Sequence, residues 1–260
     1  REDVEAAVKS GGAKAKVPAA ELATARVSGN VTSLPHDSMR LRIAEHMSHS
    51  VTVAPHVTAV FEADFGAIIA HRKANKEAFA KQGVNLTLTA YVVIAAARAM
   101  DAAPAVNSRW FDDRLELYDD VNIGIGTALG DKGLVVPVIH HTQSLSLLGV
   151  AKRMGELTDK ARAGKLARAD VQGGTFSISN HGVSGTLIAA PIIINQPQSA
   201  ILGIGKLEKR VVVREIDGAD AMLIRPMTYV SLTIDHRALD GHQTNAWLTR
   251  FVEVLEGWRD

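Results

Sequence analysis

"MTYVSLTIDHRALDGHQTN", residues 227–245, joins two kinds of structure across one polar corner. The first nine residues are rich in β-branched and apolar side chains and predict a strand. Beyond Asp240 the apolar residues fall on one helical face, Trp247, Leu248, Phe251, Val252 and Leu255, predicting a helix over about 240–257. Asp235, His236, Arg237 and Asp240 crowd the junction. A neutral imidazole held at such a corner takes a proton from a hydroxyl or thiol near neutral pH, so His236 is a candidate general base. Asp240 sits where it could orient the backbone, cap the helix or pair with an arginine. Spacing alone leaves a plain helix-entry turn equally open.

Working outward from that corner, helices and strands mix without a regular alternation. "HDSMRLRIAEHMSHS" (36–50) carries Met39, Ile43 and Met47 four apart and predicts a helix with Ser38 as its N-cap. "PHVTAVFEADF" (55–65) alternates at period two and predicts a strand. Helices are predicted over about 66–81 and 87–102, the second apolar enough to be buried, and a long amphipathic one follows within 144–166. Strands are predicted near 106–111, 115–118, 121–129, 133–139, 175–180, 190–194, 199–205, 207–213 and 223–234. Such an order predicts an α+β fold with a mixed or mostly antiparallel sheet rather than a doubly wound one. At the other end, "REDVEAAVKS" (1–10) reads as the close of a helix. The Ala-, Gly- and Lys-rich residues 11–30 read as a linker with too little apolar surface to bury a core.

Composition removes several kinds of chemistry. The formal charge of +1 gives no bulk attraction for nucleic acid. With no cysteine, disulfides, thiolate nucleophiles and Cys-based zinc sites are excluded. No apolar stretch has membrane-spanning length, and no signal peptide opens the chain, which starts at Arg1 as a fragment or processed product would. The pairs His46/His49 and His140/His141 lack further ligands at metal-binding spacing, so no metal is expected. "NIGIGTALGDKG" (122–133) runs into a second apolar strand instead of a helix and reads as a hairpin, not a phosphate cradle. "GGTFSISNHGVSG" (173–185) ends a strand in Ser179, Asn180 and His181. It lacks the elbow of a nucleophilic serine, but a hydroxyl that donates to an oxyanion needs none.

Taken together these segments resemble a known family. "DHRALDG" is similar to the DHRxxDG signature of the 2-oxo acid dehydrogenase E2 components, the dihydrolipoamide acyltransferases, and to the HxxxDG of chloramphenicol acetyltransferases. "MRLRIAEHM", "APHVTAVFEADF", "GLVVPVI", "GGTFSISNHG" and "PQSAILGIG" resemble further family segments in the same order, across roughly residues 31–257. The resemblance implies a chloramphenicol-acetyltransferase-like two-layer sandwich of mixed sheet and helices, forming trimers. It implies residues 1–10 as the end of a peripheral subunit-binding domain, 11–30 as a flexible linker and 31–260 as the catalytic domain. It also implies transfer of an acyl group between coenzyme A and a lipoyl group carried on a domain absent from this chain. His236 would be the base, Ser179 the oxyanion donor, and Asp240 the group that holds the site, through an arginine such as Arg40 or Arg42. In the family the serine and histidine come from neighbouring subunits.

The implied partners are two further copies of the chain, a larger core as an alternative, and the E1 and E3 components. The implied setting is bacterial cytoplasm, or the mitochondrial matrix in a eukaryote. Two departures stand out: "PIIINQP" (191–197) is one residue longer than the family's PIINPP, and "VEVLEGWRD" lacks a Leu-rich tail. The acyl group is succinyl or acetyl by resemblance, and His181 is a candidate partner for a succinyl carboxylate. A scaffold with weak activity and a small-molecule acetyltransferase are the competing readings.

Overall fold

A computed structural model describes residues 29–130 and 133–259. The helix end expected at 1–10 and most of the linker expected at 11–30 lie outside the described residues. The chain divides into an N-terminal unit, residues 1–40, and a large unit, residues 41–260. Within the first, the described residues are irregular and exposed up to the start of α1 (Ser38–Val53). There Asp37 Oδ1 accepts the Arg40 N–H at 2.6 Å, so Asp37 rather than Ser38 caps the helix. A carboxylate suits that place because it also meets the positive end of the helix dipole.

In the large unit, β1 (His56–Asp64), α2 (Gly66–Ala80) and α3 (Leu88–Ala99) follow in turn. Next come the short strands β2 (Ser108–Trp110), β3 (Leu115–Leu117), β4 (Ile123–Ile125), β5 (Thr127–Ala128), β6 (Leu134–Val135) and β7 (Val138–Ile139). The chain closes with α4 (Leu147–Arg162), β8 (Phe176–Asn180), β9 (Ala200–Ile204), β10 (Glu208–Ile216), β11 (Ala219–Asp235) and α5 (Gly241–Glu256). The main sheet runs β1-β11-β9-β8-β4-β7, with β10 also on β11. β8 is parallel to β4 and β9, and the other pairs are antiparallel. This is the mixed sheet of an α+β fold.

Register explains which face is buried. Ile178 pairs with Leu202, Leu202 with Leu232 and Leu232 with Ala59, a row on the helix side of the sheet. Those residues belong to one core with the almost wholly buried α3 and with Trp247, Leu248, Phe251 and Leu255 of α5. The next row, one residue on, points the opposite way: Ser179, Gly203, Ser231 and Val60. Period two thus carries both the core and the first functional candidate on adjacent residues of one strand.

The strand expected at 190–194 is absent. Residues 189–194 instead cross the second face of the sheet as an irregular strap. Its backbone groups are satisfied by side chains: Ser231 Oγ donates to Ala189 O (2.7 Å), Ile192 N to Thr233 Oγ1 (3.2 Å) and Ser50 Oγ to Ile194 O (2.7 Å). A Cβ on Gly203 would strike Ser231 Oγ and Ile192 Cδ1, so the strap lies this close only because position 203 has no side chain. The strand expected at 106–111 starts later, after a turn of 3₁₀ helix at Pro104–Val106, where Pro104 lacks the N–H a ladder needs. The glycine-rich segment forms the expected hairpin, β5 against β6, with Gly130 and Gly133 at positive φ in its turn.

Candidate active site

β11 ends at Asp235, and the chain turns at once into the corner that holds His236. The turn is fixed from below. Asp235 is 1% exposed, and Arg237 grips its carboxylate through Nε (3.0 Å to Oδ1) and Nη2 (2.6 Å to Oδ2), while Arg237 N adds a third bond (3.0 Å). The Asp235 carboxylate in turn raises the Arg237 pKa above its ordinary range, so the guanidinium stays charged. Arg237 also lies over the Trp110 ring, 5.5 Å from its centroid. His236 itself is pinned by its backbone, N to Pro55 O at 2.9 Å. Its imidazole is exposed and has no hydrogen-bond partner among the described residues. A ring so placed is open to a substrate.

Asp240 caps α5. Its Oδ1 accepts Gln243 N at 3.1 Å, and Gln243 Oε1 accepts Asp240 N at 3.2 Å, a reciprocal capping box. Thr244 Oγ1 donates to Asp240 O at 2.6 Å. Capping is therefore the role this structure gives to Asp240.

Ser179 is the penultimate residue of β8 and is half-buried. A Cβ on Gly126 would sit 3.8 Å from Ser179 Oγ, so the hydroxyl lies beside bare backbone of the neighbouring strand. Among the described residues its Oγ has no partner. Asn180, on the other face, lines a cleft of about 460 Å³ with Arg72, Thr87 and Gly182. Beside that cleft Thr87 Oγ1 is sealed and has no partner among the described residues, and Arg72 Nε donates to Leu86 O at 2.7 Å.

One chain does not bring Ser179 and His236 together. Ser179 is level with Gly203, and Gly203 with Ser231, yet His236 lies five residues beyond Ser231, just past the end of β11. At ~3.3 Å per residue and ~4.8 Å per strand, the two residues are about 19 Å apart. The cause is polarity: β8 and β9 run one way and β11 the other, so the C-terminal end of β8 and that of β11 lie at opposite ends of the strands.

Three of the other histidines, His46, His140 and His141, have hydrogen-bond partners. His46 Nε2 meets Asn195 Oδ1 (3.1 Å), and His141 Nδ1 meets Asp120 Oδ1 (2.9 Å). His140 Nε2 lies 3.2 Å from Ala169 O. Among the described residues no group of three or more His, Asp or Glu is arranged to hold a metal ion. His56 was not singled out by sequence. It lies opposite Asp235 in the register, with Nδ1 2.7 Å from Ala54 O and Nε2 accepting Ile194 N at 3.0 Å. It therefore ties the strap to the edge strand beside the His236 corner, and no sequence spacing signals a link across 138 residues.

The family model for the 2-oxoacid dehydrogenases acyltransferase catalytic domain matches residues 28–260. The chain belongs to that family. It is 41% identical over 221 residues to the dihydrolipoyllysine-residue succinyltransferase component of the 2-oxoglutarate dehydrogenase complex of Rickettsia bellii, covering 84% of this chain and 53% of that protein. It spans about half the length of that curated relative. Among solved structures, a probable dihydrolipoamide acetyltransferase of Listeria monocytogenes superposes with a TM-score of 0.82 at 37% identity, covering 89% of this chain and 96% of that one. Chloramphenicol acetyltransferase shares the fold, with a TM-score of 0.52 at 16% identity over 87% of this chain and 99% of that one. The α+β architecture is that of the family. Among the described residues no helix is long and apolar enough to cross a membrane.

Proposed function

We propose that this chain is the catalytic part of a dihydrolipoyllysine-residue acyltransferase, moving a succinyl or acetyl group between lipoyl-bound dihydrolipoamide and coenzyme A. The observation that carries the mechanism is the placement of two groups without partners among the described residues, His236 and Ser179, at opposite ends of the strands of one sheet. A cyclic arrangement of copies, here a trimer, would set the His236 corner of one against the Ser179 end of the next, so that each centre is completed between subunits.

In that centre His236 takes the proton from the attacking thiol. The thiolate adds to the thioester carbonyl and gives a tetrahedral oxyanion, to which the Ser179 hydroxyl donates a hydrogen bond. Collapse expels the second sulfur, which recovers the proton from the imidazolium. The Asp235–Arg237 clamp and the Asp240 cap hold the corner that carries His236. The second carboxylate oxygen of Asp240 is the one that an arginine would meet. The cleft at Asn180, with the Arg72 guanidinium, offers polar groups to the long arm of coenzyme A. E1 and E3 components, and any larger core, are proposed as partners of the full-length protein, with the lipoyl group arriving on a separate domain.

The test is transfer from acyl-coenzyme A to free dihydrolipoamide by the purified chain. His236→Ala is expected to abolish it while the oligomer persists. A wild-type chain inactive with acetyl-, succinyl- and isobutyryl-coenzyme A would favour a scaffold instead.

A further inference from the structure

His181 is a polar group that this mechanism leaves unused. It follows β8 directly, two residues beyond Ser179, and among the described residues its Nε2 is out of contact with solvent and without a hydrogen-bond partner. The backbone around it is tightly held. His181 N donates to Ile204 O (3.0 Å), and Ser184 N donates to His181 O (3.0 Å). The next residue, Gly182, is pressed against the Gly205 carbonyl so closely that any side chain there would overlap it. The ring therefore hangs from a fixed point. The residue as a whole is half-buried, so rotation about its own side-chain bonds brings the nitrogen to a ligand without moving the backbone.

A ring nitrogen held in this way gains by meeting an oxygen that carries charge. Two residues of chain reach at most roughly 7 Å, and a four-carbon acyl chain spans roughly 5 Å from its thioester carbonyl to its far end. We infer that His181 is the residue that selects the acyl group, its ring N–H binding the distal carboxylate of a dicarboxylic, succinyl-type acyl chain whose thioester oxygen lies at Ser179. An acetyl or branched aliphatic chain has no oxygen to offer at that distance. This inference rests on the acyltransferase reading above.

The experiment compares succinyl- and acetyl-coenzyme A as donors to free dihydrolipoamide, using the 260-residue chain and its His181→Phe and His181→Gln variants. Wild type is expected to prefer the succinyl donor. His181→Phe should lower the succinyl-to-acetyl ratio of kcat/KM roughly ten- to a hundredfold, mainly through KM, the size of one hydrogen bond to a charged group. His181→Gln, whose amide N–H reaches a similar position, should recover most of that ratio. Should the Phe variant fail to fold, as read by circular dichroism, His181→Asn makes the same test with an amide too short to reach. A ratio unchanged in the variants, or a wild type with no succinyl preference, overturns the assignment and leaves the acyltransferase reading intact. A wild type that transfers neither group overturns both.

Discussion

Mixing two dead enzymes tests the division of the active centre between copies. Ser179 and His236 are about 19 Å apart in one chain, farther than one thioester and its attacking thiol can bridge. Take a Ser179→Ala chain and a His236→Ala chain, unfold them together in equal amounts, and refold. If each centre draws its histidine from one copy and its serine from the next, a centre is intact when a Ser179→Ala chain supplies the histidine and a His236→Ala chain supplies the serine. Random assembly makes about one centre in four intact, whatever the number of subunits in the closed ring. The mixture should recover about a quarter of the wild-type rate, with a maximum at equal proportions. The parents set the background: loss of one oxyanion donor leaves on the order of 1% of the rate or less. The assay is initial-rate acyl transfer to free dihydrolipoamide, with native mass spectrometry to establish that mixed oligomers form. Mixed oligomers no more active than the average of their parents would refute the shared centre.

Three other perturbations follow from the geometry. Asp235→Asn removes one charge of a buried pair, and it should destabilise the chain by about 3 kcal/mol in denaturant titration and lower kcat more than it raises KM, because the His236 turn loosens; unchanged stability would show that the clamp is dispensable. Gly203→Ala drives a methyl group into Ser231 Oγ and Ile192 Cδ1, at an expected cost of about 1–3 kcal/mol, read as a lower denaturation midpoint. Asp170 has its pKa lowered by the Ala167 N–H and then by Lys160, with Arg153 also nearby. Its contribution is therefore complete above the ordinary carboxylate value of about 3.9 and is lost as pH falls through the lower folded value. The gap in melting temperature between wild type and Asp170→Asn should shrink between pH 6 and pH 2, and a constant gap would refute the assignment.

The strand-corner-helix at 227–245 was legible because each of its signals is local. Alternating apolar residues specify β11, Asp240 marks the helix start, and the apolar stripe specifies which side of α5 is buried. The buried α3 and the 122–135 hairpin were legible for the same reason. The strap at 189–194 was not. Its run of isoleucines has strand composition, but its hydrogen bonds go to Thr233, His56 and Ser50, which are distant in sequence. Ser38 looked like the cap of α1, and Asp37, one residue earlier, took the role.

Residue identity made His236, Ser179 and Asp240 candidates, because few side chains can act as base, hydroxyl donor and helix cap at strand ends, and the family resemblance gave them their roles. Sequence could not say how far apart the first two lie. That is decided by strand order and direction: β9 stands between β8 and β11, and the antiparallel turn at 216–219 sends β11 back past Ser179 to the far end of the strands. Nor could sequence reveal that Asp235 and Arg237 clamp each other beneath the histidine, or that His181 Nε2 has no partner among the described residues. Periodicity records which face a residue takes, because it is a property of one strand or helix. Separation, pairing and the lack of a partner depend on how several elements pack together, and so belong to the tertiary structure.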